Sequence, residues 1–326
     1  MRRLLLVCLT ALIVTSAALR ARADDAPLFP VVNDKRWGYI DRHGHPVIAP
    51  RFDHALSFRE GLGLVRVNGR CGYVDASGAL VIAPAHAQAW PFAEGLAAVR
   101  DDNRRCGYID RSGRCVVPAT YDDADEFSEG LARVTRYGRH GFIDKTGRVV
   151  IRPEFDFAGP FHEGRATVSV ARKAGYIDRT GRLVIPAQLE SARSFSEGVA
   201  AVRKGGLYGF LTPAGTWAIE PRFEAAQDFS EGLAAVAQGG RWGFITPSGQ
   251  MTVAPRFDQV EGGFRDGLVA VRVGDLWGYA DHRGTLVIAP AYTSAQPFFA
   301  GLGQVRDVDR LGWVDTKGKV IWPPSR

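Results

Sequence analysis

The sequence predicts an all-β repeat protein, a tandem array of nine units of about 34 residues, each a three-stranded antiparallel sheet, stacked face to face as an open superhelix. Three observations lead there. A glycine that mostly follows an aromatic or small residue returns at Gly38, Gly72, Gly107, Gly141, Gly175, Gly209, Gly243, Gly278 and Gly312, at spacings of 34 or 35. In step with it, a Glu-Gly pair returns at Glu60-Gly61, Glu94-Gly95, Glu129-Gly130, Glu163-Gly164, Glu197-Gly198 and Glu231-Gly232, weakening to Asp266-Gly267 and Ala300-Gly301. Between the columns lie short β-branched or aromatic runs of strand length. A closed β-propeller-like ring is the alternative, because face-packed sheets also form blades. The open form is preferred because closure often borrows a strand from the opposite terminus, whereas this chain starts on a first strand and ends on a third. Contact between residues 28–41 and 302–322 would overturn that preference.

Residues 1–23 read as a secretory signal peptide. Arg2-Arg3 precede an apolar run from Leu4 to Leu19, and Ala21-Arg22-Ala23 spells an A-x-A cleavage site. At about 1.5 Å per residue that run reaches only about 24 Å, short of a hydrocarbon core about 30 Å thick. The remaining chain, 24–326, carries the array over about residues 28–322, and no second apolar run long enough to span a membrane follows. Without the four arginines of the signal, 37 basic side chains face 35 acidic ones. The formal charge falls from +6 to +2, so nothing electrostatic favours nucleic acid.

Within a unit the first strand is typified by Leu96–Val99, the second by Gly107–Asp110 and the third by Val149–Pro153. The turn before the third strand is spelled D-x-x-G from Asp41–Gly44 onward, and T-P-x-G at Thr212–Gly215 and Thr246–Gly249. An Asp that bonds its own backbone two residues on, with a glycine at positive φ, suits a type I turn closed by a bulge. Asp41 and its equivalents are therefore turn builders. Strand alternation points Trp37, Tyr39 and Asp41 one way and Gly38 and Ile40 the other. Neither face is polar, so both are expected to be covered by neighbouring sheets, with Gly and Ala leaving room for an adjacent ring.

The pairs Trp37-Gly38, Trp242-Gly243 and Trp277-Gly278, continuing into D-x-x-G, V-I-x-P and F-x-E-G, resemble the bacterial WG-repeat family over residues 28–322. The resemblance implies a β-rich interaction module with no shared catalytic residues. This chain departs from the name in that the Trp column reads Trp37, Cys71, Cys106, His140, Ala174, Tyr208, Trp242, Trp277, Leu311. A regular aromatic ladder for sugar rings is not expected of it.

No catalytic signature is present: G-x-S-x-G, H-E-x-x-H, C-x-x-C and a phosphate-cradling glycine loop are all missing from the sequence. His43, His45 and His54 cluster in the first repeat and read as loop residues ahead of a metal site. Asp101, Asp102, Asp122, Asp123, Asp125, Glu126 and Glu129 lack the spacing of a calcium loop and read as a solvated acidic patch. The Glu column is expected to satisfy backbone N–H groups near the first strand. Arg66, Arg100, Arg203, Arg272 and Arg306 recur after the first strand and form a candidate binding edge for an acidic partner or anionic glycan. Cys71, Cys106 and Cys115 are expected as buried thiols, with Cys71–Cys115 the one disulfide that stacking would permit.

These readings point to an exported, non-enzymatic protein of the bacterial envelope or periplasm, requiring no cofactor, that binds or scaffolds a protein partner. A binder of glycan or envelope polymer is the alternative. An enzyme with a site in the third repeat is the remaining reading.

Overall fold

The structure, a computed structural model, describes residues 27–325. The signal-peptide reading of residues 1–23 lies outside the described residues. Strands of the described residues form nine antiparallel sheets, eight of four strands and one of three. Each sheet is a blade. Blade 2 shows the pattern: strand a is His54–Ala55, b is Gly63–Val67, c is Arg70–Val74 and d is Leu80–His86, hydrogen-bonded in that order. Blade 1 has only b (Phe29–Asn33), c (Arg36–Ile40) and d (Pro46–Phe52). Strands b, c and d are the three that the sequence predicts. Strand a lies outside that expectation: in six blades it is only two residues, such as His54–Ala55, too short to display an alternation.

The expected open superhelix is overturned: the blades close into a ring, a nine-bladed β-propeller. Phe29, Val31, Val32 and Ile40 of blade 1 form one buried cluster with Leu302, Leu311 and Trp313 of blade 9. Trp313 Nε1 donates to the Pro30 carbonyl at 2.9 Å. No borrowed strand is needed, because closure here is made by side chains of the two terminal blades.

Successive blades do pack face to face. Leu96, Ala98, Cys106, Tyr108 and Val117 of blade 3 share a core with Phe127, Ala132, Val134 and Ile143 of blade 4. At the eight interfaces from blade 1 to blade 9 a ring on strand c meets a ring from strand a or the loop after it in the next blade, as in Tyr39–Phe58 at 4.9 Å and Tyr176–Phe195 at 4.8 Å between centroids. An aromatic pair of this kind contributes about 0.5–1.5 kcal/mol beyond its buried area. Where the strand-c ring is Tyr, its hydroxyl also donates to the next blade's backbone, as Tyr73 does to Trp90 O at 2.7 Å. Burial pushes these phenols up from their ordinary pKa, so they stay protonated donors.

The glycine of the W-G column has a reason other than the one expected. A β-carbon on Gly72 would lie 2.6 Å from the Ile82 carbonyl oxygen of strand d in the same blade. The pairing is irregular there, jumping from Cys71↔His86 to Tyr73↔Ile82, and the bulged strand d presses its backbone onto strand c. Room for the neighbour's ring is left instead on strand b: a β-carbon on Gly63 would meet Tyr39 Oη at 2.8 Å. The D-x-x-G turn forms as expected, with Asp41 Oδ1 accepting from His43 N at 2.8 Å and His45 N at 2.9 Å.

Candidate functional site

Antiparallel order sorts the connections onto two faces of the ring. Loops from a to b, which carry the Glu-Gly pairs, share one face with the D-x-x-G turns between c and d. Hairpins from b to c share the opposite face with the junctions from d to the next strand a.

The Glu-Gly face is stitched from blade to blade. Each glutamate sits in the left-handed region, at φ 51–54°, a conformation that costs an L-residue about 1 kcal/mol. Its carboxylate then reaches the next blade's glycine: Glu60 accepts from Gly95 N at 3.0 Å, Glu94 from Gly130 N at 2.9 Å and Glu197 from Gly232 N at 3.0 Å. The expected role of the column, satisfying backbone N–H groups, is thus met across the interface rather than within one repeat. Basic turn residues add charge at some interfaces, Lys145 on Glu94 at 3.0 Å and His282 on Glu231 at 3.2 Å.

Regularity breaks over blades 5 to 8. In blades 5 and 8 strand a is long, Phe157–His162 and Gln259–Arg265, and runs on into a hairpin that pairs His162 with Arg165 and Arg265 with Leu268. Blades 6 and 7 keep the two-residue form, Ser191–Ala192 and Ala225–Ala226. Between the two hairpins lies a cavity of about 320 Å³, lined from four successive blades by His162, Arg193, Ser196, Asp228, Ser230 and Arg265 among others. Arg193 clasps Asp228 with Nε–Oδ1 at 2.8 Å, and Ser196 and Ser230 donate to the carbonyls of Phe229 and Phe264. His162 and Arg265 have no ion-pair partner among the described residues. Cations therefore outnumber the one carboxylate, itself already engaged. Of the three lining serines, Ser196 and Ser230 spend their hydroxyls on carbonyls, and the excess of cations suits capture of an anionic group.

The candidate arginine edge lies on the opposite, hairpin face, at the end of strand b in five blades. Arg66 is exposed and 3.9 Å from Cys71 Sγ, and Arg306 is exposed. Arg100 bonds Gln88 Oε1 and Asp123 Oδ1, both at 2.8 Å, and lies over the Trp90 ring. Arg203 meets Gly206 O at 3.1 Å, while the Nε of half-buried Arg272 has no hydrogen-bond partner. The surviving Trp37, Trp242 and Trp277 are half-buried against blade cores and form no exposed stacking platform.

The three histidines separate. His43 and His45 stand at the junction of blades 1 and 9, whereas His54 meets the Trp37 ring at a tilt of 46°, 4.8 Å between centroids, on the other face. The acidic patch is largely neutralised by arginines: Asp102 by Arg70, Asp122 by Arg105, Asp123 by Arg100, and Asp125 by Arg133. Glu126 stands apart, its pKa pushed up by burial against the opposing pull of Arg59. Among the described residues no group of three or more His, Cys, Asp or Glu could hold a metal ion, and no helix is long and apolar enough to cross a membrane. Among the described residues Cys71, Cys106 and Cys115 are all free; Cys71 and Cys106 are buried as expected, but Cys115 is exposed. Across the turn Ile109 pairs with Cys115, and a register shift sets Cys106 opposite Tyr121. Sequence reasoning missed the four-blade cavity, whose signals were the extra glycine in Glu261-Gly262-Gly263 and the His and Arg ahead of the acid-Gly pairs in blades 5 and 8.

The family model of the WG containing repeat matches the chain at residues 37–71, 72–104, 107–139, 141–173, 175–208, 208–242, 242–277 and 277–307. No curated protein shows significant sequence similarity to it. Among solved structures it is similar to a eukaryotic initiation factor at a TM-score of 0.62 and 10% identity, over 90% of this chain and 94% of that one. It is also similar to the computationally designed Ika8 protein, at a TM-score of 0.49 and 13% identity over 82% of this chain and 93% of that one. A third is BamB from Moraxella catarrhalis, at a TM-score of 0.48 and 10% identity over 82% and 94%. Identities this low concern the fold alone, and the first likeness agrees with a ring of blades.

Proposed function

Because the chain belongs to the WG containing repeat family, with its repeats closed into a ring, we propose that it is an exported, non-enzymatic scaffold of the bacterial envelope that binds a protein partner through the Glu-Gly face. The observation that carries the reading is the cavity drawn from four successive blades, where unpaired His162 and Arg265 stand beside Arg193. It is the place where the repeats stop being interchangeable, and a specific partner needs such a place. Export is supported by the basic start, apolar run and A-x-A site of residues 1–23. A protein partner is favoured over a glycan by the half-buried state of Trp37, Trp242 and Trp277, which offers sugar rings no platform.

The test is cross-linking capture from envelope extract with the tagged mature protein, run beside Arg265→Ala and Arg193→Ala variants and a polysaccharide array. A protein captured by the native ring and lost from both variants is expected. Capture indifferent to both substitutions would remove the cavity from the reading, and array binding without protein capture would replace it with a glycan binder. Fractionation of cells producing the full chain, with sequencing of the mature N-terminus, tests export.

A further inference from the structure

At seven successive interfaces a carboxylate of one blade caps the next blade's acid-Gly loop, from Glu60 on Gly95 N to Asp266 on Gly301 N. The interface between blades 9 and 1 lacks both halves of that bond. The acid column ends in Ala300, and Pro27, which by register from strand b stands where the glycine would be, has no N–H to donate. Ala300 nevertheless keeps φ 50°, the left-handed backbone of the glutamates. The chain thus holds the conformation and omits the side chain.

The cation of the arrangement remains. Arg42 is the turn residue equivalent to Lys145, Arg179 and His282, each of which meets the carboxylate of the preceding blade. Its hydrogen bond is to His43 Nε2 at 3.2 Å. Around it opens a cavity of about 500 Å³ lined by His43, His45, Lys319, Ala300 and Ile321. Its one lining carboxylate, Asp315, is turned onto its own turn, accepting from Lys317 N and Lys319 N at 2.9 Å. Arg42 and Lys319 have no ion-pair partner among the described residues.

We propose that this seam cavity binds a glutamate or aspartate side chain of a partner polypeptide, held by Arg42 and Lys319 in the place that the chain's own glutamates take at the other interfaces. The inference rests on the reading of the protein as a binder of protein partners and names a second contact on the same face. A polypeptide is favoured over other carboxylates because the occupant of each of the seven equivalent places is itself a peptide loop. The cavity also offers Leu302 and Ile321 to an aliphatic stem beside the charges.

The test is fluorescence anisotropy with the labelled peptide Phe-Ser-Glu-Gly-Leu-Ala, a copy of the chain's own loop at residues 127–132, against its Gln counterpart and against oligogalacturonate. The Glu peptide is expected to bind at least about tenfold more tightly than the Gln peptide, since one charge-assisted contact is at stake. Arg42→Gln should weaken it by a similar factor. Ala300→Glu, which supplies the carboxylate in cis, should abolish binding with the circular dichroism unchanged. Equal binding of the two peptides, no binding, or binding indifferent to Arg42→Gln and Ala300→Glu would overturn the proposal. So would oligogalacturonate binding without peptide binding, which would give the cavity to an anionic glycan. A partner captured through Arg193 and Arg265 but indifferent to Ala300→Glu would leave the proposed function standing and sink only this inference.

Discussion

The interface between blades 5 and 6 and the seam between blades 9 and 1 solve one packing problem with different atoms. In the ordinary interface, Tyr176 pairs with Phe195 and its hydroxyl donates to Arg193 O at 2.7 Å, above the small residue Ala200. Strand a of blade 6 then covers strand b, Glu190 N donating to Arg203 O at 3.0 Å and Arg193 N to Ala201 O at 2.9 Å. Among the described residues blade 1 has no strand a, so the equivalent carbonyls, Val32 O and Pro30 O, face the seam. Side chains of blade 9 satisfy them, Ser325 Oγ donating to Val32 O and Trp313 Nε1 to Pro30 O. Phe29 stands where Ala200 stands and fills the space of the missing loop ring, meeting Trp313 at 5.2 Å. A propeller can therefore close without exchanging strands if three residues, here Phe29, Trp313 and Ser325, are re-chosen at one joint.

The comparison breaks first at Trp313. Trp313→Ala removes a buried ring and leaves the Pro30 carbonyl unpaired, so a loss of about 3–5 kcal/mol in urea unfolding is expected. A loss under about 1 kcal/mol would mean that the seam does not hold the ring together. Ser325→Ala should cost less, about 1–3 kcal/mol, because it unpairs the Val32 carbonyl and Trp322 Nε1 but removes no ring. Tyr176→Phe at the ordinary interface should cost about 0.5–1.5 kcal/mol. Blades 4, 6 and 7 already carry Phe142, Phe210 and Phe244 in that column, so the ring tolerates the missing hydroxyl. If Tyr176→Phe proved as damaging as Trp313→Ala, the seam would be an interface like any other. The buried thiols sharpen this further: Cys71 and Cys106 should stay slow to react with a disulfide reagent in Trp313→Ala if opening is confined to the seam, while exposed Cys115 reacts at once in both proteins.

Much of this was legible in the sequence, and what was not has a local cause. The number of blades and strands b, c and d followed from the period and from runs long enough to alternate. Asp41 was readable as a turn builder because its function is local. Ring closure was not, since its bonds join residues 283 and 293 positions apart and repetition says nothing of how its two ends meet. Yet the seam had left marks. Phe29 breaks a column of Gly, Ala and Val, and Trp313 breaks a column of Tyr and Phe, both at the termini of the array. The candidate sites failed to surface for the opposite reason: they arise where repeats differ, at Gly262-Gly263 and at Ala300, and such departures look like decay of the pattern until the loops are seen side by side.

The smallest effect tests the same lesson, one conformation built by two chemistries, within the turns of blades 5 and 6. In blade 5, Asp178 accepts from Thr180 Oγ1 at 2.6 Å and from Thr180 N and Arg182 N, and these bonds, the hydroxyl first, hold its pKa at about 2 against an ordinary 3.8. Blade 6 makes its turn with Thr212-Pro213, where nothing titrates, Thr212 Oγ1 meeting Thr216 Oγ1 at 2.7 Å. A carboxylate whose pKa is depressed by folding contributes stability that is fully present above the unfolded value and is lost as pH falls towards the folded one. Asp110 and Asp144 share the shift, so the native protein should lose stability from near pH 4 down to about 2. The double substitution Asp178→Thr, Arg179→Pro, which respells blade 5 as blade 6, should leave the midpoint at pH 7 within a few degrees and make the fall between pH 4 and 2 shallower by one carboxylate's share. Thermal melts across that range decide it: an unchanged acid slope would show that the turn aspartates act only through geometry, and a collapse at pH 7 would show that the two spellings are not interchangeable.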